Sequence, residues 1–199
     1  MPLVRSNRSN KALLFAQNFL RYPKMIGSII PSSRFLIERL LSRVDWAHAS
    51  VIVEYGPGVG TITKHVLRQL APDAVLIAIE MNGDFVEHLR QELPDPRLRV
   101  VHGSAADVRN ILAQQGFDSA DYIISGIPYS TLPEPLRHAV LRESRAALSP
   151  HGRMLVYQFT RAVLPYLRRE FGHVQQEFEP LNILPAQVFT CEKSNNVAV

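Results

Sequence analysis

The sequence predicts an α/β protein built on a mostly parallel sheet with helices on both faces. Three observations carry this reading. Short runs of β-branched and apolar residues recur along the chain, apolar at successive positions rather than at alternate ones. Stretches with helical periodicity separate them. A glycine-rich turn stands between the first such run and the helix that follows it. Strands buried on both faces need a layer on each side, and crossover helices between parallel strands supply it.

The elements follow in order. Residues 10–22 read as a helix, with Ala12, Phe15, Ala16, Phe19 and Tyr22 on one side and Leu20 beside them. Lys11, Gln17, Asn18 and Arg21 gather on the other side, and Pro23 ends or kinks the helix. A second helix opens after Pro31-Ser32-Ser33, where serine supplies an N-cap for Phe35, Leu36, Leu40 and Leu41. Val51-Ile52-Val53 is the first strand, and a helix from Thr61 to Leu70 follows the glycine turn. Further strands fall at Val75–Ile79, Leu98–Val101, Tyr122–Ile124 and Met154–Phe159, with helices at Phe85–Leu93, Leu136–Leu148 and Ala162–Phe171. The tail alternates over Val174–Glu179 and Gln187–Glu192 with Pro180 and Pro185 between, which predicts a hairpin added at one edge.

Composition bounds the function. With 199 residues, 46% hydrophobic and 20% charged, the chain suits one domain with a sizeable core and is thin for two. The lone cysteine, Cys191, excludes an internal disulfide and a cysteine-based zinc site. His65, His88, His138 and His151 have no Cys or second His at ligand spacing, so no metal is expected. The longest apolar run is about six residues, Ala74 to Ile79, far short of a bilayer span. No signal core is visible either, so a cytoplasmic protein is expected. The net charge is +4, but its placement is uneven: residues 1–37 hold Arg5, Arg8, Lys11, Arg21, Lys24 and Arg34 and no acid. The rest carries 16 basic and 18 acidic residues, a net −2. A basic leader on a mildly acidic body points to an anionic surface, either nucleic acid or phospholipid headgroups.

The chemistry concentrates at strand ends. Glu54-Tyr55-Gly56-Pro57-Gly58-Val59-Gly60 follows the first strand, where glycines let the backbone turn tightly and approach a ligand. Its spacing is G-x-G-x-G, not the G-x-G-x-x-G of a dinucleotide site, and no Lys-Ser/Thr pair follows to make a P-loop. Glu80 ends the second strand, 20 residues past Gly60, where a carboxylate can accept both hydroxyls of a ribose.

This combination resembles the class I S-adenosylmethionine-dependent methyltransferases, with their Rossmann-like fold. The resemblance implies S-adenosylmethionine as cofactor, with Glu54, Gly56, Gly58 and Gly60 under its methionine and ribose parts. Glu80 would bind the ribose and Met81 would lie against the adenine. The third cofactor segment falls on Ser104 and Ala105; the family's usual acid position is Ser104, and Asp107 either substitutes for it or caps a helix. The fourth strand end, Ser125-Gly126-Ile127-Pro128-Tyr129, faces the methyl group in this family. Enzymes that methylate adenine amines carry Asn or Asp where Gly126 stands, so the orienting side chain is missing here. Ser125, Gly126 and Tyr129 form the expected catalytic segment, with Tyr129 lining the acceptor site through its ring or its hydroxyl. Ser125 also touches the cofactor in this scheme.

Two families share these features. The ribosomal RNA adenine dimethyltransferases resemble the chain at Gln17-Asn18-Phe19-Leu20 and Pro128-Tyr129, but Gly126 departs from them, and so does a length that leaves out their C-terminal RNA-binding domain. The bacterial phospholipid N-methyltransferases, which carry phosphatidylethanolamine towards phosphatidylcholine, resemble it through nearly the whole chain. The shared segments are Pro23-Lys24, Gly27 to Arg34, Glu54 to Gly60, Ser125-Gly126-Ile127-Pro128 and Asn182-Ile183-Leu184-Pro185-Ala186. This resemblance implies a lipid amine as substrate and a peripheral place on the membrane. Tyr22, Lys24, Ser28 and Ser32 would hold the headgroup, with Ile127, Pro128 and Tyr129 around the amine. Tyr157 and Arg161, at the end of the fifth strand, could also reach the acceptor. Residues 1–45 then form basic amphipathic helices that dock on an anionic phospholipid surface and cover the cofactor, and residues 46–199 form the cofactor-binding core. Nucleic acid is the disfavoured partner. A non-catalytic membrane-binding protein with this fold is a third reading, against which Glu54, Gly56, Gly58, Gly60 and Glu80 all speak. The oligomeric state is left open.

Overall fold

The computed structural model describes residues 32–193. The helix expected at 10–22, and Tyr22, Lys24 and Ser28 with it, lie outside the described residues. Within them lie six helices and seven strands: α1 (Arg34–Leu41), β1 (Val51–Tyr55), α2 (Thr61–Gln69), β2 (Val75–Glu80), α3 (Gly83–Glu92) and β3 (Leu98–His102) come first. Then follow α4 (Val108–Gln114), β4 (Ala120–Ser125), α5 (Glu134–Ala147), β5 (Leu148–Gln158), α6 (Leu164–Phe171), β6 (Gly172–Glu179) and β7 (Ala186–Lys193). They form one seven-stranded sheet in the order β3-β2-β1-β4-β5-β7-β6. The first five strands are parallel, and β7 runs antiparallel to both β5 and β6. The edge hairpin is present, with its second strand inserted between β5 and β6.

The continuous apolar strands have the cause expected of them. In β1, Val51, Val53 and Tyr55 enter one core while Ile52 enters the other. In β4, Ile123 faces the first core, and Tyr122 and Ile124 the second. The first core is closed by Val108, Ile111 and Leu112 of α4, Val140 and Leu141 of α5, and Leu167 and Phe171 of α6. The second is closed by Leu36, Ile37, Leu40 and Leu41 of α1, and by Ile62, Val66 and Leu67 of α2. Ser33 caps α1 as expected, its hydroxyl accepting from the Leu36 amide at 3.2 Å.

Two elements differ from the sequence reading. Helix α4 is not singled out by periodicity, because seven residues with Val108, Ile111 and Leu112 buried are too few to establish a repeat. Strand β5 begins at Leu148 rather than near Met154, running through Ser149-Pro150-His151-Gly152. That segment has turn composition, and its pairing shifts register against β4 between Ala120 and Tyr122.

Helix α1 is tied to the hairpin by charge. Arg39 donates to Glu179 at 2.7 Å and lies 3.3 Å from Glu177, which Arg43 also pairs. The Ser33 amide donates to the Asn182 side-chain oxygen at 2.8 Å. Glu179 is buried, and Arg39 holds its carboxyl below the ordinary range. Such a lowered acid contributes stability above its unfolded value and loses it as pH falls through the folded one. Arg39→Ala is therefore expected to cost roughly 1–2 kcal/mol at pH 7. In thermal melts its deficit should shrink at acid pH, where a protonated Glu179 no longer needs the cation.

Candidate active site

The carboxyl ends of β1, β2 and β3 meet at a groove of about 270 Å³. Its floor is the glycine turn. Gly56, Gly58 and Gly60 all have positive φ (63°, 55° and 77°), a conformation that costs other residues strain. At Gly60, which opens α2, a Cβ would also come within 2.8 Å of the Leu89 side chain and 2.9 Å of that of Leu93. Gly56 and Gly58 line the groove, and Gly60 lets the chain turn into the helix below it.

Glu80 fixes the turn in place. One carboxylate oxygen accepts from the Gly58 amide at 3.1 Å and the other from the Asn82 amide at 2.9 Å. Only 6% exposed, its carboxyl is pushed upward by burial, with those amides opposing the shift. Each carboxylate oxygen has a second lone pair, so Glu80 can still accept two ribose hydroxyls from the groove it lines. Met81 stands exposed at the rim, and Ser104 and Ala105 line the wall. Asp107 does not: it takes a hydrogen bond from Asn110 at 3.2 Å and lines another depression, on the far side of the turn. Of the two alternatives for that segment, Ser104 faces the groove. Ile79, Phe85, Leu136 and Val140 add an apolar wall, which suits an adenine ring. Sequence reasoning missed these four because apolar residues on strand and helix read as core.

Glu54 lies below the groove rather than in its lining. It is 3% exposed and accepts the Thr63 hydroxyl hydrogen bond at 2.7 Å. Burial pushes its carboxyl up to about 7; the Thr63 bond opposes this and the nearby Glu80 adds to it.

The segment after β4 carries the largest correction. Tyr129 was expected at the acceptor, but it is fully buried and lines neither the groove nor the smaller cavity beside it. Its hydroxyl pairs with that of Ser125 at 2.9 Å, also fully buried, because a single 3-10 turn at Tyr129–Thr131 folds the ring back into the core. Pro128 lines both cavities, Gly126 the smaller one and Ile127 the groove. Two side chains outside the expected set hold this segment. Gln158 donates to the Ile127 carbonyl at 2.8 Å, and Arg137 donates to the carbonyls of Tyr129 at 2.8 Å and Leu132 at 2.9 Å. Nothing in the local sequence signals a contact across 31 residues. Of the expected headgroup residues, Ser32 alone is described, and its side chain lies beside the Tyr157 phenol. Among the described residues no three His, Cys, Asp or Glu side chains gather to hold a metal, and no helix is long and apolar enough to cross a membrane.

A glycine turn, a strand-end carboxylate and a flat apolar wall fit S-adenosylmethionine, and the comparisons agree. Residues 8–190 match the ribosomal RNA adenine dimethylase family. The chain belongs to that family. It is an S-adenosylmethionine-dependent methyltransferase of class I, with that compound as methyl donor. Family membership leaves the acceptor open, as its relatives show. An ornithine lipid N-methyltransferase of Singulisphaera acidiphila is 32% identical over 180 residues, 89% of this chain and 94% of that one. The ribosomal RNA small subunit methyltransferase A of Acidithiobacillus ferrooxidans is 30% identical over 137 residues, 69% of this chain but 45% of that one. This chain thus matches less than half the length of that RNA enzyme. The fold is shared with the precorrin-6y C5,15-methyltransferase of Geobacter metallireducens, at a TM-score of 0.64 and 14% identity, covering 80% of this chain and 88% of that one.

The buried Glu54 makes stability pH-dependent. An acid whose folded value lies above its unfolded one loses stability as pH rises between the two, here from about 4.5 to about 7. The loss is on the order of 3 kcal/mol. Glu54→Gln keeps an acceptor for Thr63 without the charge. In ligand-free melts it should raise Tm by several degrees at pH 8 and change little at pH 5.

Proposed function

We propose that this methyltransferase acts on the amine of a membrane lipid, phosphatidylethanolamine in the first place. The observation that carries the reading is the match to a lipid N-methyltransferase over nearly the whole of both chains. Gly126 supports it, since no side chain there can orient a nucleobase amine. In this reading Glu54, Gly56, Gly58 and Gly60 support the methionine end and Glu80 accepts the ribose hydroxyls. Met81, Ser104 and Ala105 border the adenine.

When bound, S-adenosylmethionine supplies a methyl group on a positively charged sulfur. The chain's own work is positioning and charge. Glu80 and the glycine turn would hold that group so that the amine's lone pair could take the methyl, the electrons of the carbon–sulfur bond going to sulfur and a proton to water. An alkylamine is mostly protonated at neutral pH, so it must shed a proton before its lone pair is free. Alignment of the nitrogen with the methyl carbon supplies most of the acceleration, and the rigid Gly126–Leu132 segment, tied by Gln158 and Arg137, provides the wall against which it is aligned.

The lipid lies in a bilayer, so the site must face one. The six basic residues of the leader provide the attraction to an anionic surface, each adding on the order of 1 kcal/mol. The turn between β6 and β7 provides an apolar tip: Leu181, Ile183 and Leu184 are exposed. Because β7 runs antiparallel to β5, this turn stands at the same end of the sheet as the glycine turn.

The test offers methyl-labelled cofactor in parallel to phosphatidylethanolamine vesicles, ornithine lipid vesicles and small ribosomal subunits. Label is expected in the lipid amine, with chromatography separating the headgroups. Label in RNA alone would replace this reading with the adenine-methylating one that the family name favours. Glu80→Ala should lower cofactor affinity at least tenfold by calorimetry, while Asp107→Ala should leave it within twofold.

A further inference from the structure

Between the ends of β4 and β5 lies a second cavity, of about 160 Å³, lined among others by Gly126, Pro128, Thr131, Tyr157, Gln158 and Phe159. Pro128 and Thr131 also line the groove above the glycine turn. The two spaces therefore adjoin at Pro128 and Thr131, with the segment from 126 to 131 at the border of both.

Gly126 explains what fills the cavity's inner end. Its φ is not in the left-handed region, so glycine is not there for backbone freedom. It is there for room: a Cβ would stand 2.0 Å from the Tyr157 hydroxyl oxygen and 2.3 Å from the carbon that bears it. The phenol of β5 thus occupies the space that any side chain on β4 would claim. Tyr157 is held there from two sides. The Ser32 side chain lies beside the phenol, and Gln158 bridges the Tyr157 carbonyl at 2.7 Å to that of Ile127 at 2.8 Å.

We propose that this cavity receives the acceptor amine, a primary or partly methylated alkylamine headgroup, and that the Tyr157 hydroxyl, seated over Gly126, holds its nitrogen. The proposal rests on the lipid-amine reading and names the group that reading lacks. A hydroxyl can accept an N–H from the amine, which turns the nitrogen lone pair away from the phenol and towards the adjoining groove, where the methyl donor would lie. Burial, with Glu54 nearby adding to it, pushes the phenol up to about 12. It therefore stays protonated at working pH and acts by orientation, not as a base. Phe159 and the Tyr157 ring give the cavity aromatic faces, which attract alkylammonium groups as methyls accumulate. The Glu54 carboxyl, within electrostatic reach of the phenol, favours the same positive charge.

The hydroxyl matters most while the nitrogen still carries several hydrogens. Tyr157→Phe is expected to keep Tm and cofactor affinity near wild type. It should lower kcat on phosphatidylethanolamine vesicles at least tenfold, and on vesicles of the dimethylated lipid by threefold or less. Gly126→Ala, which drives the phenol aside, should reproduce that pattern in the native background and have little further effect beside Tyr157→Ala. Wild-type transfer to lipid with unchanged Tyr157→Phe kinetics on the unmethylated amine would overturn the proposal alone. An equal loss on both lipids would overturn it too, by making Tyr157 a wall residue. Wild-type transfer to RNA and none to lipid would overturn the lipid reading and this proposal together.

Discussion

The site is organised around one carboxylate that serves two backbones. Glu80 accepts from Gly58 and from Asn82, so the turn leaving β1 and the turn leaving β2 are fixed to the same pair of oxygens. The parallel pairing of Tyr55 with Ile79 brings the two strand ends level, and the Gly56 amide continues the ladder to the Ile79 carbonyl. A buried carboxylate without donors would be costly; two amides offset much of that cost and orient the group at once. The positive-φ glycines make the arrangement feasible, since only such a turn aims the Gly58 amide at Glu80. The groove, its depth and the direction of α2 all follow from this clamp.

The segment after β4 is held differently, by side chains that bind backbone carbonyls. Gln158, Arg137 and the Tyr129–Ser125 hydroxyl pair fix the segment after β4 from three directions. Arg137 is itself stacked on the Tyr166 ring at 4.4 Å, so helices α5 and α6 both brace it. Tyr129 is spent on this scaffold: its ring is core and its hydroxyl is committed. The tyrosine that stands over Gly126 comes from the neighbouring strand instead. Glu54 lies below the groove with its carboxyl raised by burial, and within electrostatic reach of the Tyr157 phenol.

Much of the site was legible because its residues act near their own place in the chain. The glycine spacing, the acid ending β2 and the apolar strands are local patterns with one physical solution, and the structure places each where that solution requires. Ser104 over Asp107 needed coordinates, since both lie within one short turn and only their directions differ. Helix α4 and the early start of β5 escaped for local reasons: the first is too short to show a period, and the second begins in turn-forming residues.

The sequence by itself determined the α/β class, the glycine turn with its facing strand-end acid, and the family, because strand burial and turn geometry are set within a few residues. Tertiary structure alone decided which tyrosine fills the space above Gly126. That choice depends on the 3-10 turn that folds Tyr129 inward, on the Ser32 contact with Tyr157, and on a Gln158 bond spanning 31 residues. A side chain's direction after a strand end is settled by what packs against it, and those partners are far away in the chain.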